Sequence, residues 1–306
     1  MVQYLQTGNG FYGLAQQAKI RRKTCWSKKS IIGVNADHFF TVGNQHITCQ
    51  DYATSGLGNN CAYAIVCDGC SSSPDVDIGA RLLALSAKRT LMIGGTDMNY
   101  DLFGKVTIRN IENIGNTLPL DPHSLDSTLM VVWLKEKNFK AHLYGDGCFI
   151  HKTASTLRMV YVDFEAGTDN KVRPAYLSYF LDKERLKEYE DGANTGSKHV
   201  LDISICLTDE KKNSIEVENY LTPFQDVVVS GVAEEGDIVA VTSDGINTFA
   251  KSDGTNISWQ DIVGSFVDFK TTPGIFVQRR LGFLKRQWAK ELTTHYDDIS
   301  ISAIVV

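Results

Sequence analysis

Residues 62–67, AYAIVC, run straight into Asp68 and Gly69, and this junction decides how the rest of the chain reads. The run is short, apolar and bounded by a turn signal, as a buried strand is. The same arrangement recurs. AHLYG (141–145) leads into Asp146-Gly147, and IVAVTS (238–243) leads into Asp244-Gly245. A further run, ISISAIVV (299–306), has its acids on the other side, with Asp297-Asp298 preceding it. Gln50-Asp51 follows shortly after the strand-like FFTV (39–42).

Any single Asp-Gly is an ordinary hairpin turn, because Gly takes positive φ and Asp tolerates it. Three at the ends of apolar runs, with acids at two more, call for another account. Neighbouring strands of one sheet would gather these carboxylates in one place. Anionic groups that close repel unless a cation compensates them. Carboxylate and carbonyl oxygens suit hard ions such as magnesium and manganese. Glycine also lets a backbone carbonyl approach an ion unobstructed. Two such ions can bridge a water, turn it into a hydroxide nucleophile near neutral pH and neutralise charge on a phosphoryl group.

Outward from these junctions, strand-like runs predominate: TLMVVWL (128–134), KAHLYG (140–145) and RMVYVDF (158–164) join those above. Helical periodicity predicts fewer elements. They are Asp77–Met92, opened by Ser-Pro-Asp; Ala175–Glu190; a segment from Trp259 to about Phe269; and Phe276 to about Leu292. The last should pack Phe276, Leu281, Phe283, Leu284 and Trp288 onto a sheet. Many strands with a few long helices, not strictly alternating, indicate antiparallel sheets covered by helices. The polar stretch Asp191–Lys198 reads as a loop, and no boundary is strong enough to divide the chain, so one domain over 1–306 is expected.

The chain has 306 residues, of which 43% are hydrophobic and 22% charged, enough to build a sizeable core. A net charge of −5 argues against nucleic acid or an anionic membrane as the main partner. No signal peptide is read at the start and no apolar run is long enough to span a bilayer. Seven cysteines without paired spacing point to a reducing compartment, the cytoplasm. A basic stretch, Lys19–Lys29, sits within the first 35 residues, which read as an extension of open role: a solvated surface, or a contact for a phosphopeptide or partner.

The order of the motifs resembles the metal-dependent protein phosphatases of the type 2C family, in particular its bacterial members. Its parts are TCQDYA (48–53), AIVCDGC (64–70) followed by a helix, DSTLMVVWL (126–134), AHLYGDGCFI (141–150), EEGDIVAVTSDGINTF (234–249) and HYDDISISAIVV (295–306). The resemblance covers about Gly43 to Val306. It implies an α+β fold, an α-β-β-α sandwich of two antiparallel sheets flanked by helices. It implies hydrolysis of phosphoserine or phosphothreonine on a phosphoprotein by a hydroxide bridging two manganese or magnesium ions. Matched by position, Asp51, Asp68, Gly69 through its carbonyl, Asp244 and Asp297 are the implied metal ligands, with Asp68 bridging both ions and Asp51, Asp68 and Asp244 carrying catalysis. Asp146 falls where a third, weaker metal is held. Asp298 stands where the family has Asn, which makes Asp297 the better ligand.

Three positions depart from the family pattern. Cys70 replaces a histidine proposed as general acid, and a thiol substitutes poorly for an imidazolium. His46 aligns near the arginine that holds phosphate, and a neutral imidazole lacks the bidentate fork. Gln50 replaces a glutamate, keeping an oxygen and losing a charge. His295, two residues before Asp297, is expected beside the site, and Ser127-Thr128 as its structural support. His142, in a strand pattern, reads as a packed core histidine. Cys67 and Cys70 form a C-x-x-C with no second half for a zinc site, which leaves a redox pair as its other reading, and Cys67 is expected to be buried. The 175–190 helix, where family members carry a variable flap, reads as a solvated face or a substrate-docking surface. The departures at Cys70 and His46 keep a second class open, a family member that binds phosphoproteins without hydrolysing them.

Overall fold

The computed structural model describes residues 33–306 apart from 59, 167–173, 192–196 and 210–212. Backbone contacts divide the chain into residues 1–30 and 31–306, and all that follows concerns the second unit. The basic stretch Lys19–Lys29 lies outside the described residues.

Two antiparallel sheets form the centre. The larger has the order β1 (Asn35–Thr41), β14 (Ile299–Val305), β11 (Ile238–Thr242), β6 (Gly147–Lys152), β7 (Thr156–Phe164), β8 (Lys198–Cys206) and β9 (Ser214–Leu221). The smaller has the order β10 (Val228–Val232), β5 (Asn138–Tyr144), β4 (Leu129–Lys135), β3 (Ala62–Cys67) and β2 (Tyr52–Leu57). A short pair, β12 (Phe249–Ala250) and β13 (Thr294–His295), closes a loop. Helices α1 (Val76–Met92) and α2 (Tyr100–Thr117) cover the smaller sheet; α4 (Trp259–Phe266) and α5 (Phe276–Glu291) cover the larger. Helix α3 (Lys183–Asp191) lies between β7 and β8 in the chain. The expected α-β-β-α sandwich is therefore observed.

The period of two in a strand explains the layering. In β3, Ala62, Ala64 and Val66 join the core between the sheets with Val132, Phe149 and Val241. Tyr63, Ile65 and Cys67 face the other way, packing with Leu83 of α1 and Phe103 of α2. Both faces are buried, so the strand is apolar throughout rather than alternating. In β14, Ile299, Ile301, Ala303 and Val305 pack with Phe266 and Trp288 of the outer helices. Its inward residues include two serines: Ser302 Oγ donates to Thr54 O of the opposite sheet at 3.0 Å, and Ser300 serves the site described below.

Three helical expectations need correction. Residues 175–190 are not one helix: a 3-10 turn, Leu177–Leu181, precedes α3. Asp182 divides them, extended in backbone, its Oδ1 accepting from Glu184 N (2.9 Å) and Arg185 N (3.2 Å). An Asp that caps the next helix cannot continue the previous one. Helix α4 ends at Phe266 rather than about Phe269. In α5, Phe276, Leu281, Leu284 and Trp288 pack inward as expected, but Phe283 is 47% exposed and Val277 is buried in its stead. Helix α2 was not expected at all. Its start is set by Asn99, whose side chain accepts from Leu102 N at 2.9 Å. Among the described residues no helix is long and apolar enough to cross a membrane.

Candidate metal centre

Strand register carries the acids to one end of the sandwich. Tyr52 of β2 lies opposite Cys67 of β3, so Asp51 and Asp68, one residue beyond each, are neighbours. Thr242 of β11 lies opposite Cys148 of β6 and Ile301 of β14. Asp244, just past β11, is thus flanked by Asp146 ahead of β6 and by Asp297-Asp298 ahead of β14. The chain crosses from the smaller sheet to the larger at Gly145-Asp146, between β5 and β6. A cleft of about 290 Å³ opens there, lined by Asp68, Gly69, Cys70, Asp146, Tyr176, Asp244 and Asp297, with Ser71, Ser72 and Thr128 at its walls.

Neighbouring backbone and hydroxyl groups hold these carboxylates in place. Asp51 is 3% exposed, and its Oδ2 accepts from Ser243 Oγ at 2.6 Å. Ser243 Oγ in turn accepts from Ser300 N at 3.0 Å. The Asp68 carbonyl accepts from Thr128 N (2.8 Å) and Ser127 Oγ (2.7 Å), and Asp68 N donates to Thr128 Oγ1 (3.2 Å). Ser127-Thr128 therefore supports the site, as expected. Glycine is required at Gly245, where a Cβ would sit 1.8 Å from Asp298 O, and at Gly43, where one would sit 2.2 Å from Asp297 backbone atoms.

The electrostatics are those of unbalanced anions. Burial pushes the Asp51 carboxyl up to about 7 and Asp244 up to about 6. Asp68 is raised well above the carboxylate range by burial and by the charges of Asp51 and Asp244. Asp146 is raised by burial and by Asp244. Asp51 Oδ1, Asp244 Oδ1 and Gln50 Oε1 are buried without a hydrogen-bond partner. A buried carboxylate oxygen left unpaired costs several kcal/mol, so these atoms point to a ligand. Carboxylates, an adjacent glycine carbonyl and orphaned buried oxygens are the donor set of a hard divalent cation.

The flanking residues separate by role. Asp298 is 2% exposed and spends its oxygens on the 43–50 loop, accepting from Gly43 N (2.7 Å) and Gln50 N (2.5 Å). The Asp297 side chain, 35% exposed, reaches the cleft. That division agrees with Asp297 as ligand and Asp298 as brace. His46 Nδ1 lies 3.2 Å from Asp298 and 3.6 Å from Asp297, and the three side chains could themselves approach one ion. His46 is not among the residues lining the cleft. His295 is buried, its Nδ1 2.8 Å from the Asp297 carbonyl, so it fixes that backbone rather than facing the cleft. Cys70 lines the cleft, whereas Cys67 is buried under α1 and α2. His142 is buried among Tyr100, Phe103 and Trp133, and burial lowers its pKa to about 3.

Reading the sequence missed Ser243, which orients Asp51, and Tyr176 on the cleft wall. It also missed Asp126, whose carboxylate accepts from Arg185 and Ser178. Ser243 sits inside the Asp244 motif and could have been found by its place one residue before the acid. Tyr176 and Asp126 gain their roles only through contacts distant in sequence.

The sequence profile of the protein phosphatase 2C family matches residues 43–272, three quarters of the chain. This chain belongs to the protein phosphatase 2C family. Solved structures of the same fold include the S. agalactiae serine/threonine phosphatase, 13% identical, covering 89% of this chain and 99% of that one with a TM-score of 0.52. The phosphatase domain of SpoIIE from Bacillus subtilis, solved with a fragment of its regulatory domain, is 13% identical, covering 89% and 63% with a TM-score of 0.50. The catalytic domain of PstP in complex with two manganese ions is 13% identical, covering 89% and 97% with a TM-score of 0.49. No curated protein matches this protein phosphatase 2C sequence at a significant level.

Proposed function

We propose that the chain removes phosphate from phosphoserine or phosphothreonine on a protein substrate, using two divalent cations, magnesium or manganese. The observation that carries this is the pair of orphaned oxygens, Asp51 Oδ1 and Asp244 Oδ1, buried beside Asp68 without a hydrogen-bond partner. Asp51, Asp68, the Gly69 carbonyl, Asp244 and Asp297 would hold the two ions, and Asp146 a third. When bound, such ions supply an activated water and neutralise charge on the phosphoryl group.

The protein's own part is placement. Ser243 turns Asp51 by taking one of its oxygens, leaving the other for a cation. Ser127 and Thr128 fix the Asp68 backbone, His295 fixes the Asp297 backbone, and Asp298 braces the 43–50 loop beside it. The site lies at the open end of the sandwich, where a phosphorylated loop or chain terminus of a partner protein can reach it. The described cysteines are all free thiols, which fits a reducing compartment such as the cytoplasm.

The test is manganese-dependent turnover of a chromogenic phosphomonoester and of a phosphoserine peptide. Asp68→Ala should abolish both while the protein stays folded. A second reading, phosphoprotein binding without hydrolysis, draws on Cys70 lining the cleft where the family pattern has a histidine acid, and on His46 lying outside that lining. No turnover by the metal-loaded wild type, with phosphopeptide binding retained, would decide for it.

A further inference from the structure

We propose that Tyr176 supplies the hydrogen bond that holds the substrate's phosphoryl group, in a cleft whose described walls offer no cationic side chain for the task. The proposal rests on the phosphatase reading above and assigns a phosphate-holding residue within it.

The need for such a donor is visible in the cleft. His46 stands where the resemblance places a phosphate-binding arginine, but its ring is turned to Asp297 and Asp298. The donors lining the cleft are Cys70, Ser71, Ser72, Thr128 and Tyr176. Cys70 Sγ and Ser72 Oγ face each other at 3.1 Å, and a thiol donates weakly. Thr128 Oγ1 accepts from Asp68 N, which ties it to that backbone without using its proton, and Ser71 is exposed.

Tyr176 differs in being built in. The residue is 8% exposed, and its ring meets that of Tyr179 edge-on at 5.7 Å. It lines the same cleft as Cys70, Asp146 and Asp68. Two χ angles and a packed ring leave little entropy to lose when the hydroxyl meets a ligand. A phenol beside carboxylates donates rather than accepts when a phosphate oxygen arrives.

The segment that carries Tyr176 is fastened to the loop that carries Asp68. Arg185 Nη2 donates to both oxygens of Asp126, at 2.8 and 2.7 Å, and Ser178 Oγ donates to the same carboxylate at 2.5 Å. The backbone of Asp126 accepts from Cys70 N at 2.9 Å. The next two residues are Ser127 and Thr128, which hold Asp68. One buried carboxylate thus sets the distance between Tyr176 and the acidic centre. Arg185 and Asp126 are positioning residues; Tyr176 is the group that would touch the phosphate.

The probe is inorganic phosphate, titrated calorimetrically into the magnesium-loaded protein. Tyr176→Phe removes one hydrogen bond to a charged group and should raise the dissociation constant at least about tenfold. The melting temperature should stay close to wild type. In the wild type, phosphate should also move the Tyr176 Cζ resonance in a protein labelled with ¹³C-tyrosine, a readout that needs no variant to fold. Equal dissociation constants for wild type and Tyr176→Phe, no phosphate binding by the wild type, or an unmoved Tyr176 resonance would each overturn the proposal. Turnover of the chromogenic ester, run alongside, separates the two readings. If the wild type does not turn over and the tenfold shift persists, hydrolysis is rejected and Tyr176 keeps its assignment.

Discussion

Asp51 and Asp244 each leave a carboxylate oxygen buried with nothing to accept from, and either a proton or a cation must answer for that. The sign of the pH dependence follows. Both groups titrate higher when folded, at about 7 and about 6, than when unfolded. Their contribution to stability in the cation-free protein is fully present below the unfolded value near 4 and is lost as pH rises through about 6 to 7. Asn mimics the protonated form. In chelator, the melting temperature of Asp51→Asn minus that of wild type should therefore grow between pH 5 and pH 8; a flat difference would contradict this. Saturating manganese should reverse its sign at pH 8, because the wild type then gains binding energy that Asn cannot match. Gly245→Ala belongs to this scale too. Its Cβ would meet the Asp298 carbonyl at 1.8 Å, and the overpacking should cost about 1–3 kcal/mol or more in urea unfolding. The acids were legible before the fold because each sits beside a strand and most beside a glycine. Tyr176 was not, since nothing in its own neighbourhood marks it; its place comes from sharing a cleft with residues distant in the chain.

Among the elements, the segment from the 3-10 turn at Leu177–Leu181 through α3 has the least conventional anchoring. Little of α3 is buried apart from Tyr189, and its main tie is Arg185 to the buried carboxylate of Asp126. Removing one partner of such a pair costs about 3–5 kcal/mol because the other is left buried and uncompensated. Arg185→Ala should thus speed amide exchange in 177–191 and around Asp126 while leaving β4 and β11 protected. Uniform loss of protection would refute that local tie. Strands with both faces buried, β3 and β4, announced themselves as apolar runs. Helix α2 did not, because Gly104, Thr107, Asn110 and several β-branched residues mask its period. Gly104 itself is explained only by the fold: a Cβ there would lie 2.9 Å from Leu177 and Tyr144 side-chain atoms. The single helix expected over 175–190 failed for the converse reason. Its period is helical on both sides of Asp182, and only the capping bonds to Glu184 N and Arg185 N reveal the break.

For the molecule as a whole, three apolar layers account for the architecture: one between the sheets and one beneath each helical cover. Leu83 belongs to the cover of the smaller sheet and is fully buried; Leu83→Ala should cost about 2–5 kcal/mol without altering metal affinity. The far edge of the larger sheet is of another kind. Strand β9 is exposed along nearly its whole length, Ile215, Val217 and Tyr220 included. An edge of that sort invites pairing with other chains. Val217→Lys should reduce light scattering at high protein concentration and leave the melting temperature within error.

The hydrogen bond from Ser243 to Asp51 runs from one sheet to the other, at the same end as the acids. An ion seated among Asp51, Asp68, Asp244 and Asp297 would therefore act as a rivet through both plates of the sandwich. Stripped of it, that end is held by protons shared among crowded carboxylates and by the Ser243 bond, while the opposite end keeps its apolar filling. Loss of the ion should therefore loosen the cleft end of the sandwich before the end that its apolar layer holds.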